Sequence, residues 1–246
     1  MDGQRTLPPA SLEFTYDWYR AFLDRLQSAG HEFRTFSDSH DSGDVILRHD
    51  VDLSLEKALT VARIEAERDV ESTYCILLTS ALYNPMEREH RDRIRAIGAL
   101  GHEVALHFST HEYWDAENRP DDDALEDRVA EEREILETIM PATTDTVSFH
   151  VPPSWVLGRS FETFRNAYAP AYFDDVEYVA DSGQRWRDAP PDLPPPPSTV
   201  QVLTHPGLWG EADGDFEARV DWSVAEACRH ADRKSQLEFC QGGNES

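Results

Sequence analysis

Lysine is nearly missing from this chain of 246 residues: Lys57 and Lys234 are its two lysines, and arginine supplies the rest of the positive charge. Basic residues of either kind are scarce, 23 against 48 acidic ones, for a formal net charge of -25. A surface of that sign repels phosphate backbones, so nucleic-acid binding, which needs basic patches, is not expected. No stretch approaches the ~20 apolar residues of a membrane span. Cysteine is sparse as well. Cys75, Cys228 and Cys240 form no C-x-x-C pair and are odd in number, which suits reduced thiols better than a disulfide framework. The opening residues, "MDGQRTLPPASLEF", carry neither the basic flank nor the apolar run of a secretory signal. A soluble protein of the cytoplasm is therefore the expectation.

What is present is enough for a core: 39% of residues are hydrophobic and 10% aromatic. The length allows one large α/β domain or two small ones. No linker divides the chain and no solenoid-like repeat recurs, so a single domain over 1–246 is expected. Dense carboxylates with almost no lysine resemble the surfaces of proteins from salt-in halophiles. In molar salt the Debye length is roughly 3 Å, which screens the self-repulsion that dilute buffer leaves in force.

Helical and strand-like stretches alternate along the chain, the pattern of an α/β fold. Phe14, Trp18, Phe22 and Leu26 recur at helical spacing, with Gly30 as a plausible stop. "DVILRHDV" reads as a strand. "SLEKALTVARIEAERD" reads as a helix capped by Ser54. Strands are then expected at "STYCILLT", "HEVALHF", "DTVSFHV", "VEYVADS" and "TVQVLTH". Helices are expected at "PMEREHRDRIRAIGALG", "DDDALEDRVAEEREILETIM", near "RSFETFRNAY" and over 216–233. Residues 189–198, "APPDLPPPPS", cannot be helix or central strand, because proline fixes φ and lacks a donor; they read as a stiff loop. The end of the chain, "CQGGNES", is expected to fray.

The chemistry-bearing residues gather at strand ends: His49, Asp50 and Asp52, then His107 and His111, His150, Asp181 and His205. In parallel α/β folds the carboxyl ends of strands build the active site. In an extended segment Asp50 and Asp52 project to one side and Val51 to the other. Two neighbouring carboxylates repel unless a cation or donors sit beside them. Asp52 has a second reading, as a cap on the helix that starts near Ser54. His107 and His111, four apart, share a face if they form a helical turn, and two imidazoles with one carboxylate make a zinc site with a position left for water. Without that turn they are ordinary polar residues of a loop.

These segments, in this order, resemble the polysaccharide deacetylases (the NodB-homology domain, carbohydrate esterase family 4) over residues 45–210. "RHDVD" stands where that family has its first motif, as an Asp-x-Asp variant of two adjacent acids. "GHEVALHFSTHEY" is similar to the second motif, and "FHVPPSW", "YVADSGQRW" and "VQVLTHPGLW" to the third, fourth and fifth. The resemblance implies a distorted (β/α)7 barrel, class α/β, and a divalent metal, most often Zn2+, held by Asp52, His107 and His111. It implies Asp50 as general base and His205 as general acid, with Asp181 behind His205. His150 falls where the family has an arginine paired with the base, and imidazole lacks that permanent charge and fork of donors. Pro152, Pro153, Trp155 and Trp209 would line the substrate site. The implied substrate is an N-acetylated amino sugar in a glycan or glycan precursor. Two other readings compete: an impaired pseudo-deacetylase that holds metal and sugar without turnover, and an acidic structural domain without metal.

Overall fold

The computed structural model describes residues 12–115, 118–193 and 195–240; the expected fraying of the tail lies largely outside these. Its centre is a sheet of eight strands, all parallel. The strands are β1 (Phe33–Arg34), β2 (Val45–Val51), β3 (Thr73–Leu77), β4 (Glu103–Phe108), β5 (Thr146–Phe149), β6 (Arg165–Asn166), β7 (Glu177–Ala180) and β8 (Val200–Thr204). Their spatial order is β6-β5-β4-β3-β2-β8-β7, with β1 beside the start of β2. Followed round from β2, that order is the order of the sequence, singly wound, and among the described residues no pairing joins β6 to β7. This is the expected distorted (β/α)7 barrel, open along one seam.

The helices cover the outside. They are α1 (Tyr16–Ser28), α2 (Leu55–Ala66), α3 (Arg88–Ala99), α4 (Asp122–Ile139), the single turn α5 (Pro170–Phe173) and α6 (Phe216–Ser235). Ser54 caps α2 as expected, its hydroxyl accepting from Lys57 N at 3.3 Å. Gly30 and Gly101 adopt φ of 92° and 99° just past α1 and α3, a left-handed turn that costs glycine least. Among the described residues, no helix is long and apolar enough to cross a membrane.

Period-2 alternation sorts each strand. On β2, Leu47 and Val51 join the apolar layers under the helices, while Arg48 and Asp50 turn inward with exposures of 0% and 2%. Val104, Leu106 and Phe108 of β4 and Val147 and Phe149 of β5 likewise pack outward. That leaves His107, Ser148 and His150 on the inner side. Val200 and Val202 of β8 lie under α1 with Trp18, Tyr19 and Trp209. The barrel interior is therefore polar and its wrapping apolar.

One expected helix is absent. Residues 159–168 form bends followed by β6, whose Arg165 and Asn166 pair with Thr146 and Val147. The free edge of β5 takes up the backbone groups of β6, and Phe164, in the bend just before it, is buried against the core. Residues 189–193 and 195–198 carry neither helix nor strand, as the prolines require.

Candidate functional site

The carboxyl ends of β2, β4, β5, β7 and β8 meet. Asp52 Oδ1 lies 3.1 Å from His107 Nε2 and 3.2 Å from His150 Nδ1. The two imidazole nitrogens are 3.3 Å apart. A tetrahedral ion with ligands at 2.0–2.1 Å requires donors about 3.3 Å from one another, so these three atoms trace one face of such a shell. Asp52 Oδ1 is buried and, despite the short distances, has no hydrogen bond of acceptable geometry. A buried carboxylate oxygen in that condition fits a cation better than it fits a hydrogen-bond network. Burial works against ionisation of Asp52. The adjoining nitrogens of His107 and His150 and the charges of His107 and His205 outweigh it and hold the carboxyl far below its ordinary range.

His205 closes another side, its Nε2 lying 3.9 Å from Asp52 Oδ2. Its Nδ1 donates to Asp181 Oδ1 at 2.6 Å, and its backbone N–H lies 3.0 Å from each Asp181 oxygen. Asp181, fully buried, also accepts from the indole N–H of Trp209 at 3.0 Å. Burial disfavours the imidazolium of His205, but the Asp181 charge and hydrogen bond, with Asp52 and Asp50 beyond, raise its pKa to about 9. His150 is also pushed upward, first by its contact with Asp52.

Asp50 sits one layer deeper. Its Oδ1 faces His107 Nδ1 across 3.8 Å, so it meets the site through the imidazole ring. Arg48, fully buried on the same strand, brings Nε to 3.2 Å from Oδ1 and a terminal nitrogen to 3.3 Å from Oδ2. Ser148 donates to Oδ2 at 3.2 Å. Arg48 also donates to Gln201 Oε1 at 3.0 Å and to Tyr168 Oη at 2.8 Å. Asp50 is thus paired with an arginine from its own strand. Sequence reasoning passed over Arg48, although the alternation that pairs Asp50 with Asp52 already puts Arg48 on their face.

His111 is not brought to the cluster. It lies in a 3-10 turn, Thr110–Glu112, beyond the end of β4, and its Nε2 donates to the carbonyl of Val151 at 3.1 Å. The helical turn that would align His107 with His111 does not form, because His107 belongs to the strand. His150, just past the end of neighbouring β5, lies beside Asp52 and His107 instead. Val151, just after it, has φ of 44°, a strained value for a β-branched residue of the kind that accumulates beside functional groups.

Pro152, Pro153 and Trp155 follow on the same loop, partly exposed. The Trp155 ring is covered on one side by Arg119 at 5.0 Å. Trp209 departs from the expectation of a substrate contact: it is fully buried against Phe14, Trp18 and Tyr19 and acts on Asp181. His49 faces outward, bonded to Thr204 Oγ1 and Glu65 Oε1 at 2.7 Å each, and takes no part in the cluster.

Neither a family model nor a curated protein matches the sequence. Among solved structures, a family 4 carbohydrate esterase from Bacillus anthracis is 14% identical with a TM-score of 0.40, over 86% of each chain. A carbohydrate esterase family 4 pseudoenzyme from the same organism is 16% identical with a TM-score of 0.41, over 76% of this chain and 60% of that one. The present chain thus spans less than two thirds of that pseudoenzyme. A peptidoglycan N-acetylglucosamine deacetylase is 12% identical with a TM-score of 0.42, over 85% of this chain and 91% of that one. Likenesses at this level decide nothing about the activity of this chain, which has to be read from its own site.

Proposed function

We propose that the protein is a metal-dependent amide hydrolase that removes an N-acetyl or related acyl group from an amino sugar in a glycan or glycan precursor. The observation that carries this is the set of three donors, Asp52 Oδ1, His107 Nε2 and His150 Nδ1, at 3.1–3.3 Å from one another beside the His205–Asp181 pair. A bound divalent ion, zinc by the chemistry of the donor set, would supply a Lewis acid and acidify a water toward a pKa of about 7.

The chain's own groups divide the remaining work. His205 holds a proton on an imidazole fixed by Asp181 at Nδ1, which leaves Nε2 to protonate the departing amine, a poor leaving group as an anion. Trp209 and the backbone N–H of His205 hold Asp181 in place. Asp50 acts on the centre through its charge 3.8 Å from His107 Nδ1, behind the face of the ring that would meet the ion. It replaces, in this reading, the general base that the sequence resemblance implied. Arg48 pairs with Asp50 inside the barrel. Pro152, Pro153 and the exposed part of Trp155 form the wall against which a sugar would rest.

The test is acetate release from N-acetylated amino sugars by zinc-loaded protein in high salt. Turnover lost in His205→Asn while zinc remains bound supports the assignment. Zinc bound without turnover on any such substrate would favour the pseudo-deacetylase. The acidic surface is, on the same proposal, an adaptation to concentrated salt.

A further inference from the structure

We infer that the protein carries a second site for a divalent transition metal, of the zinc class, formed by Glu87, His90 and His230, which pins α6 to the barrel. The donors come from two elements far apart in sequence: Glu87 and His90 from the start of α3, and His230 from α6. Glu87 Oε2 lies 3.5 Å from His90 Nδ1 and 3.5 Å from His230 Nε2. One ligand atom from each of the three residues falls within 4.8 Å of the other two. Those carboxylate–imidazole separations are close to the about 3.3 Å between ligands of a tetrahedral ion, so small rotations of the two rings complete the face.

Two independent observations point to a ligand here. Glu87 Oε2 is buried without any hydrogen-bond partner, while Oε1 is held by Lys234 at 3.3 Å. One carboxylate oxygen is thus fixed and the other stands free between two imidazoles. His90 is buried as well, which holds its ring in place beside Glu87. Its Nδ1 also lies 3.0 Å from Asn84 O and 3.3 Å from Asn84 N, contacts that a metal would displace.

The second observation is α6 itself. Of its twenty residues one, Ser223, is buried. Apolar burial ordinarily holds a surface helix in place, and α6 has almost none. It is attached instead by polar contacts, including Arg219 on the carbonyl of Phe14 at 3.0 Å and Lys57 over Trp222 at 4.4 Å. A small cleft of about 40 Å3 lined by His90, Trp222 and His230 lies between it and α2 and α3. A metal joining Glu87 and His90 to His230 supplies the staple that the apolar contacts do not. Glu89 and Glu226 pair with Arg93 and Arg233, so the surrounding field does not repel a cation.

The two sites are independent and are separated by counting ions. Untagged full-length protein is loaded with zinc, dialysed and assayed for metal as wild type, His107→Ala, His230→Ala and the double variant. Two ions in wild type, one in each single variant and none in the double are expected. Zinc should also raise the melting temperature of His107→Ala by roughly 5–10 °C at a hundredfold excess over Kd. That shift should vanish in the double variant, and α6 should become the first target of limited proteolysis. His107→Ala that takes up no zinc and shows no thermal shift overturns the second site. His230→Ala that takes up none overturns the strand-end site instead, and leaves this one standing.

Discussion

Arg48 offers the most searching test of how the interior is built. Its guanidinium is fully buried, with Asp50 at 3.2 and 3.3 Å, Gln201 at 3.0 Å and Tyr168 at 2.8 Å. Burial alone would release its proton, but the Asp50 charge reverses that and holds the pKa well above the ordinary arginine value. Arg48→Met keeps most of the volume and deletes the charge, leaving Asp50 buried with Ser148 and the His107 ring beside it. Breaking a buried pair from one side costs about 3–5 kcal/mol, because the surviving charge has no compensation. For a chain of this length that is a fall in melting temperature of roughly 6–20 °C. The assay is urea and thermal unfolding in molar KCl, with Arg48→Met/Asp50→Asn as the second arm. Neutralising both partners removes the orphaned charge, so the double variant should recover at least half of the loss. A single variant within about 2 °C of wild type, or a double variant as unstable as the single, would refute the pairing.

Four further outcomes are expected. Glu65 is buried, which alone would raise its pKa, yet His49, His102 and Tyr19 bring it down from 4.5 to about 2. Its contribution is therefore complete above pH 4.5 and is lost as pH falls through about 2, an amount on the order of 3 kcal/mol; urea titrations of Glu65→Gln between pH 5 and 2 should show a correspondingly flatter decline. His205→Asn should lower turnover by roughly 10²–10⁴-fold with zinc content unchanged, as loss of a proton donor does. Trp209→Phe, which removes one donor from Asp181, should cost on the order of tenfold in turnover and leave zinc in place. Melting temperature should rise between dilute buffer and molar KCl as the charge of -25 is screened; an unchanged value would end the halophile reading.

The fold was legible where hydrophobic period and stop signals agreed. "VILRHDV" opens on a run of Val, Ile and Leu, and β2 follows it with Leu47 and Val51 under the helices and Arg48 and Asp50 inside. Ser54 capped α2 and Gly30 followed α1 as composition required. "RSFETFRNAY" misled because its aromatics satisfy helical spacing equally well, and the open edge of β5 that claims it is a tertiary fact. Tertiary pairing also explains why His150 rather than His111 lies beside Asp52 and His107. Sequence spacing counts positions along one element, whereas β5 lies beside β4 and carries His150 to the strand end where His107 already stands. Arg48 was readable from alternation alone. The Glu87–His90–His230 group was not, because nothing local to α6 announces that it crosses the start of α3.

The central claim is that Asp52, His107 and His150 form the metal centre and His111 does not. The most direct measurement is zinc per chain in His150→Ala and in His111→Ala, both made in a His230→Ala background so that one site is counted. The account predicts one ion retained in the His111 variant and none in the His150 variant. Zinc lost with His111 and kept without His150 would contradict it.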